Sequence, residues 1–230
     1  MRTNFFTMLF CFLAMIVFFS CCHNDDIADE ETNGNSRVDR SCPDGKHPHI
    51  IDLGLPSGTK WACCNIGADT PEKCGGYYAW GEVVEKSSYS RENYVYDKLY
   101  EAGFEYIGDD IAGTIYDVAY VNSRGKLKMP SLEQITELII KCEWKWSTIN
   151  GVNGQLVIGS NGNTIFLPAS GWYWDNSYQG KEDEGFYFTS TLGSSDAFMR
   201  ASGLEFNIKE VKLDNYLDRS AGCSVRPVIP

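Results

Sequence analysis

At Cys142 the hydrophobic pattern of the chain changes period, and that change limits what the chain can fold into. Upstream, Leu132, Ile135, Leu138, Ile139 and Cys142 recur at helical spacing and make one apolar stripe. Ser131 precedes this run and Gln134 follows it three residues on, which is the spacing of a capping box. Downstream, Trp144 and Trp146 alternate with Lys145, Asn150-Gly151 makes a turn, and Leu156 to Ile158 starts a further strand. Ser160 to Asn163 turns again into Thr164 to Pro168. The remaining strand signals lie towards the two ends. Ile50–Leu53, Lys60–Cys64 and Tyr77–Glu82 are expected strands on one side, and Phe186–Thr191, Ala197–Phe206 and Cys223–Val228 on the other. A second helix is expected over Ile111–Asn122, whereas residues 86–112 are Tyr-rich and without a period. Helices in the middle and strands at both ends give an α+β fold with the terminal strands adjacent.

Composition supports short strands on packed aromatic faces. The 230 residues include 12 Phe, 13 Tyr and 6 Trp beside 22 Gly. Hydrophobic residues at 43% and charged residues at 22% exclude both wholesale disorder and a multi-span membrane protein. The net charge of −11 argues against nucleic acid as a partner, because such binding needs a basic footprint to displace counterions.

The first residues read as an address. Arg2 is the only charge before Asp25, and Phe5 to Ser20 form an apolar run of sixteen residues broken by Thr7. That run is short for a membrane span and fits a secretory signal peptide. Ser20 directly before Cys21 resembles the lipobox of bacterial lipoproteins, in which the Cys carries lipid and becomes the first residue. Phe18 stands where Leu or Val is usual. Residues 1–20 are therefore an expected signal, Cys21 an expected lipidation site, and 21–45 an acidic disordered tether. Asp25, Asp26, Asp29, Glu30 and Glu31 resemble the export signal of Bacteroidetes lipoproteins that reach the outer face of the outer membrane.

Nine Cys occur, and an exported chain sits where disulfides persist. Removing Cys11, Cys21 and Cys22 leaves six in the folded part, with fifteen possible connectivities. No C-x-x-C pair is present, so zinc-ribbon and thioredoxin spacings are missing. Cys63 and Cys64 on a strand would face opposite sides and would not act as one unit. The three His are His23, His47 and His49, leaving none beyond Ile50 for a Ser-His or Cys-His nucleophile.

Five ordered strings carry a family resemblance: GLPSGTKWACCNIGA, GGYYAWGE, KMPSLEQITELIIKCEWKW, NGNTIFLPASG and SVRPV. Residues 46–230 resemble the major paralogous domain first named from Fibrobacter succinogenes, abundant in exported Bacteroidetes proteins. The resemblance implies a C-type-lectin-like fold, with two helices flanking short antiparallel sheets and the N- and C-terminal strands paired. It also implies a disulfide between Cys64 and Cys142. Leu127-Lys128 and Ile135 depart from the family's usual tryptophan positions, and residues 97–115 are atypical. The calcium site of true C-type lectins needs Glu-Pro-Asn or Gln-Pro-Asp and then Trp-Asn-Asp. Trp174-Asp175-Asn176 has those residue types in another order, so neither metal nor cofactor is expected.

Function does not transfer with a fold. The segment 171–187 contains Trp172, Tyr173, Trp174, Tyr178 and Tyr187, broken by Gly171, Gly180 and Gly185. It reads as a projecting loop whose Trp174 and Tyr178, helped by Trp172 and Tyr173, stack on a glycan or a surface protein. This makes the expected function non-catalytic binding or adhesion by a lipid-anchored protein of the outer membrane, at the cell surface. A carboxylate-dependent hydrolase using Glu182, Asp183 and Glu184 is the alternative, with a structural envelope or fibre-tip component as the third reading. Mass spectrometry of membrane-extracted protein should find Cys21 as a diacylated or triacylated N-terminus. An unmodified mature N-terminus elsewhere would refute the lipobox reading.

Overall fold

A computed structural model describes residues 49–98, 103–194 and 198–229. The signal, Cys21 and the tether lie outside the described residues, as do Cys22 and Cys42. The described chain is α+β. Ten strands accompany two α-helices, α1 (Val118–Asn122) and α2 (Leu132–Lys141).

Strands β1 (Ile50–Asp52) and β2 (Lys60–Ala62) form an antiparallel pair. Strands β3 (Glu143–Ile149), β4 (Val152–Ile158) and β5 (Thr164–Pro168) form an antiparallel meander. The third sheet runs in the order β10-β9-β8-β6-β7, from β6 (Ser170–Trp174), β7 (Ser177–Lys181), β8 (Glu184–Leu192), β9 (Arg200–Asn207) and β10 (Val211–Asp218). Its one parallel contact joins β6 to β8 at Gly171 and Gly185.

Helix α2 follows the sequence signal. The Gln134 backbone N–H donates to Ser131 Oγ over 3.3 Å, and the Ser131 N–H donates to Gln134 Oε1 over 2.9 Å. Ile135 and Leu138 are buried, with Ile139 and Cys142 packed beside them. The other expected helix is shorter than its sequence suggests. Residues before Val118 turn instead, because Gly113 takes a φ of +70° and Asp117 stops the backbone as an N-cap. The buried Asp117 carboxylate accepts from the N–H groups of Gly113, Ala119, Tyr120 and Met129. Burial pushes its pKa up, against the downward pull of those donors.

The five-stranded sheet is covered on both faces. Tyr187, Leu204 and Phe206 pack with α2, β4 and β5 in one core, together with Trp61 and Val228. Phe186 and Phe188 point the other way, into a core with Trp80, Val118, Met129 and Cys223. Strand β10, which no strand signal marked, serves both cores. Val211 and Leu213 face the first, and an extra residue between Asp214 and Leu217 turns Leu217 to the second.

Tyr77–Glu82 and Cys223–Val228 form single bridges rather than the expected strands. The C-terminal segment is shared among several partners: Cys223 bridges Tyr78, Ser224 bridges Tyr187, and Val228 bridges both Trp61 and Lys128. No one neighbour can then extend a ladder along it. The expected adjacency of the terminal segments is present, since Ala62 N–H donates to the Pro227 carbonyl and Ile229 N–H to that of Lys60.

Arg226 fastens this junction from inside. Its Nε donates to Asn65 Oδ1 at 2.8 Å, Nη1 to the Cys63 and Ala62 carbonyls at 2.8 and 3.2 Å, and Nη2 to that of Phe166 at 2.8 Å. Burial pulls its pKa down, and the bonds compensate the desolvated cation. Arg226→Lys keeps the charge but loses the planar fork, and should cost about 3 kcal/mol or more because charged hydrogen bonds contribute roughly 1.5–3 kcal/mol each. The urea midpoint should fall accordingly. An unchanged midpoint would remove Arg226 from its structural role.

Candidate functional site

The segment expected to project as a loop is instead a β-hairpin inside the sheet. Asp175 and Asn176 close it with φ values of +46° and +60°, the left-handed pair that joins strands tightly. The glycines read as breaks are sites of close approach. A side chain on Gly171 would run into the Gln179 carbonyl oxygen, and one on Gly185 into the Phe206 ring. These glycines let paired neighbours approach closely rather than forbidding the strands to form.

Strand alternation then divides the four expected ligand-binding aromatics between two faces. Trp172 and Trp174 share one, stacked with centroids 5.8 Å apart, and Trp172 also meets Phe186 at 5.0 Å. Both are half-buried against the second core, so Trp174 is not the fully exposed anchor that its polar neighbours suggest. Tyr173 and Tyr178 occupy the other face, stacked at 4.7 Å. Tyr173 also packs on Tyr77 and Tyr89 at 4.9 and 5.4 Å. Tyr178 is the most open of the four, at 37% exposure, yet its hydroxyl is engaged. It donates to the Ser170 carbonyl over 2.8 Å and lies 2.8 Å from the Tyr77 hydroxyl. Burial raises the pKa of both phenols, so they act as neutral hydrogen-bonding groups.

At the hairpin tip, Trp174 and Asp175 meet a segment that no periodic pattern marks. Ser90, Arg91, Glu92 and Ser220 complete a recess of about 190 Å³. A turn of 3-10 helix, Arg91–Asn93, brings these groups up, and Asn176 N–H donates to the Tyr89 carbonyl over 2.9 Å. Arg91 is held in place by a two-point pairing with Asp97, at 3.0 and 3.1 Å. Burial is low there, and the Asp97 partner holds the Arg91 pKa above its ordinary value. The recess offers an aromatic wall, a fixed guanidinium and two carboxylates, with the buried Ser90 and Ser220 behind them, in a space suited to one small ring or side chain. Periodicity cannot reveal Ser90, Arg91 or Ser220, because they come from irregular backbone.

The carboxylates of the hydrolase reading lie elsewhere. Glu182 and Asp183 are exposed on the turn between β7 and β8, with Glu182 at a φ of +68°. The disulfide implied by resemblance is not formed. Cys142 is a half-buried thiol beside the first core, while Cys64 packs in a separate cluster with Cys63 and Ala68. Cys63 and Cys64 also depart from the expectation for neighbours on a strand: their sulfurs lie 3.3 Å apart. The strand ends at Ala62, and the backbone bends through both residues, which releases them from alternation.

Compared with family models, with curated proteins and with solved structures, the chain matches none. Tyr178→Phe should keep the ring stack and lose about 1 kcal/mol of stability, the usual worth of one such hydrogen bond. Denaturation with near-ultraviolet dichroism would test this, and an unchanged stability would show that the hydroxyl holds nothing.

Proposed function

We propose that this chain is a lipid-anchored outer-membrane protein displayed at the cell surface, acting as a non-catalytic binding module for a glycan or surface-protein ligand. The five sequence strings support membership of the major paralogous family and its C-type-lectin-like fold. The lipobox resemblance at Ser20-Cys21 supports the anchor. The observation that carries the binding reading is the recess at the hairpin tip. Trp174 supplies a stacking wall, while Arg91, Glu92 and Asp175 supply donors and acceptors around a space of one ring. Such a layout suits a sugar, whose faces are apolar and whose edges carry hydroxyls.

A glycan and protein array probed with the full chain should give hits that Trp174→Ala weakens by about 2 kcal/mol or more, roughly thirtyfold in affinity. Because Trp174 is half-buried, the same change should also cost about 1–2 kcal/mol of stability, less than for a fully buried indole. Glu92→Ala separates the two effects, since this side chain is exposed and its removal should weaken binding with little loss of stability. Hits that survive both substitutions would place the site elsewhere, and turnover of a captured glycan would favour the hydrolase.

A further inference from the structure

In the Tyr-rich stretch the folded backbone brings an amine, a carboxylate and a carboxamide together. Lys86 Nζ lies 2.7 Å from Glu82 Oε2, 3.2 Å from Asn93 Oδ1 and 3.0 Å from the Asn93 carbonyl oxygen. The Lys86 and Glu82 side chains are 21% and 8% exposed, and the amine sits 5.4 Å from the centre of the buried Tyr89 ring. Each partner is itself held. Glu82 Oε1 accepts from the Val95 N–H over 2.9 Å. Asn93 Nδ2 donates to the Ser88 carbonyl and hydroxyl, both over 3.0 Å, and Asn93 Oδ1 also accepts from the Ser90 N–H over 3.2 Å.

These contacts hold the parts of an acyl transfer. A carboxylate in reach of an amine can take its proton and leave a nucleophile. A backbone N–H aimed at an amide oxygen stabilises the charge that develops there on attack. Holding the amine beside the carboxamide replaces a chance encounter with a local step.

We propose that Lys86 and Asn93 become joined by an intramolecular isopeptide bond, with Glu82 as the proton acceptor. Glu82 takes one proton from the Lys86 ammonium, and the freed electron pair of Nζ attacks Asn93 Cγ. The π pair of the carboxamide moves to Oδ1, where the Ser90 N–H stabilises it. The second Nζ proton is passed to Nδ2 by way of Glu82. The Cγ–Nδ2 bond then breaks, the Cγ=Oδ1 bond re-forms, and ammonia leaves with the first proton as ammonium. One C–N bond forms and one breaks, nothing is oxidised or reduced, and Glu82 ends as a carboxylate. The link closes a ring through residues 86–93 and fixes the turn Arg91–Asn93, which carries Arg91 and Glu92 to the recess.

The test is tryptic peptide mapping of the full chain after denaturation. Trypsin cuts after Lys73, Arg91 and Lys98, but a lysine bound through its amine resists it. Wild-type protein should therefore give a branched product of residues 74–91 and 92–98, lighter than their sum by one ammonia, with fragmentation placing the branch at Lys86 and Asn93. Lys86→Arg and Asn93→Ala should each give linear peptides only. Glu82→Gln cannot accept the proton, and should slow formation of the branched product about a hundredfold. The proposal is overturned if wild-type protein yields peptides 74–86 and 92–98 at full mass. It is equally overturned if ammonia is lost within 92–98 while Lys86 is still cleaved, since that marks a succinimide at Asn93. A Glu82→Gln chain that links as fast as wild type would remove Glu82 from the reaction. Because the wild-type map decides whether the bond exists, misfolding of a variant does not protect the idea.

Discussion

A guanidinium without water around it is the constraint on which much of this structure rests. Arg226 is 1% exposed, and each face of its fork must find an oxygen inside the protein. Those oxygens come from three places: the β2 exit at Ala62 and Cys63, the Asn65 side chain, and β5 at Phe166. Satisfying one cation therefore fixes the end of the chain against its beginning and against the meander. Arg219 repeats the device for the Tyr-rich stretch. Its guanidinium lies 4.7, 5.6 and 5.7 Å from the rings of Trp80, Tyr94 and Phe104, and it donates to the Tyr94 hydroxyl and the Glu105 and Phe198 carbonyls. An irregular segment that lacks a ladder is thus ordered by one buried cation.

These two anchors decide where the hairpin can act. With Tyr94 and Glu105 tied to Arg219, the neighbouring Ser90–Glu92 turn is delivered to the tip of the β6–β7 hairpin. Arg219 is followed directly by Ser220, so the residue that fastens the irregular segment also sets the recess floor. The remaining hairpin aromatics serve packing: Trp172 extends the second core onto Phe186, and Tyr173 joins the Tyr77–Tyr89 cluster. Trp174 stands where the stack ends and the polar rim of the recess begins.

Legibility in the sequence followed the range of the interactions. The α2 capping box, its apolar stripe and the meander turn at Asn150-Gly151 are local signals, and the structure contains all three. Strand β10 escaped because its bulge moves Leu217 to the opposite core from Leu213, although their spacing would put them on one face of a regular strand. The glycines of the hairpin misled for a related reason. Gly171 and Gly185 look like breaks along the chain, but they answer to close approach across the sheet, by the paired strand β7 and by the Phe206 ring on β9.

The sequence by itself determined the α+β class, the capped helix, the alternating meander and the aromatic residues of segment 171–187, because each depends on neighbours a few residues away. Only the tertiary structure decided which face each aromatic takes, that Arg91 and Ser220 join Trp174, and that the sulfurs of Cys63 and Cys64 meet. Those outcomes depend on pairing across the sheet and on buried cations whose partners are up to 164 residues apart. No local pattern encodes them, since the energy that selects them appears only when the distant oxygens and rings are brought together out of water.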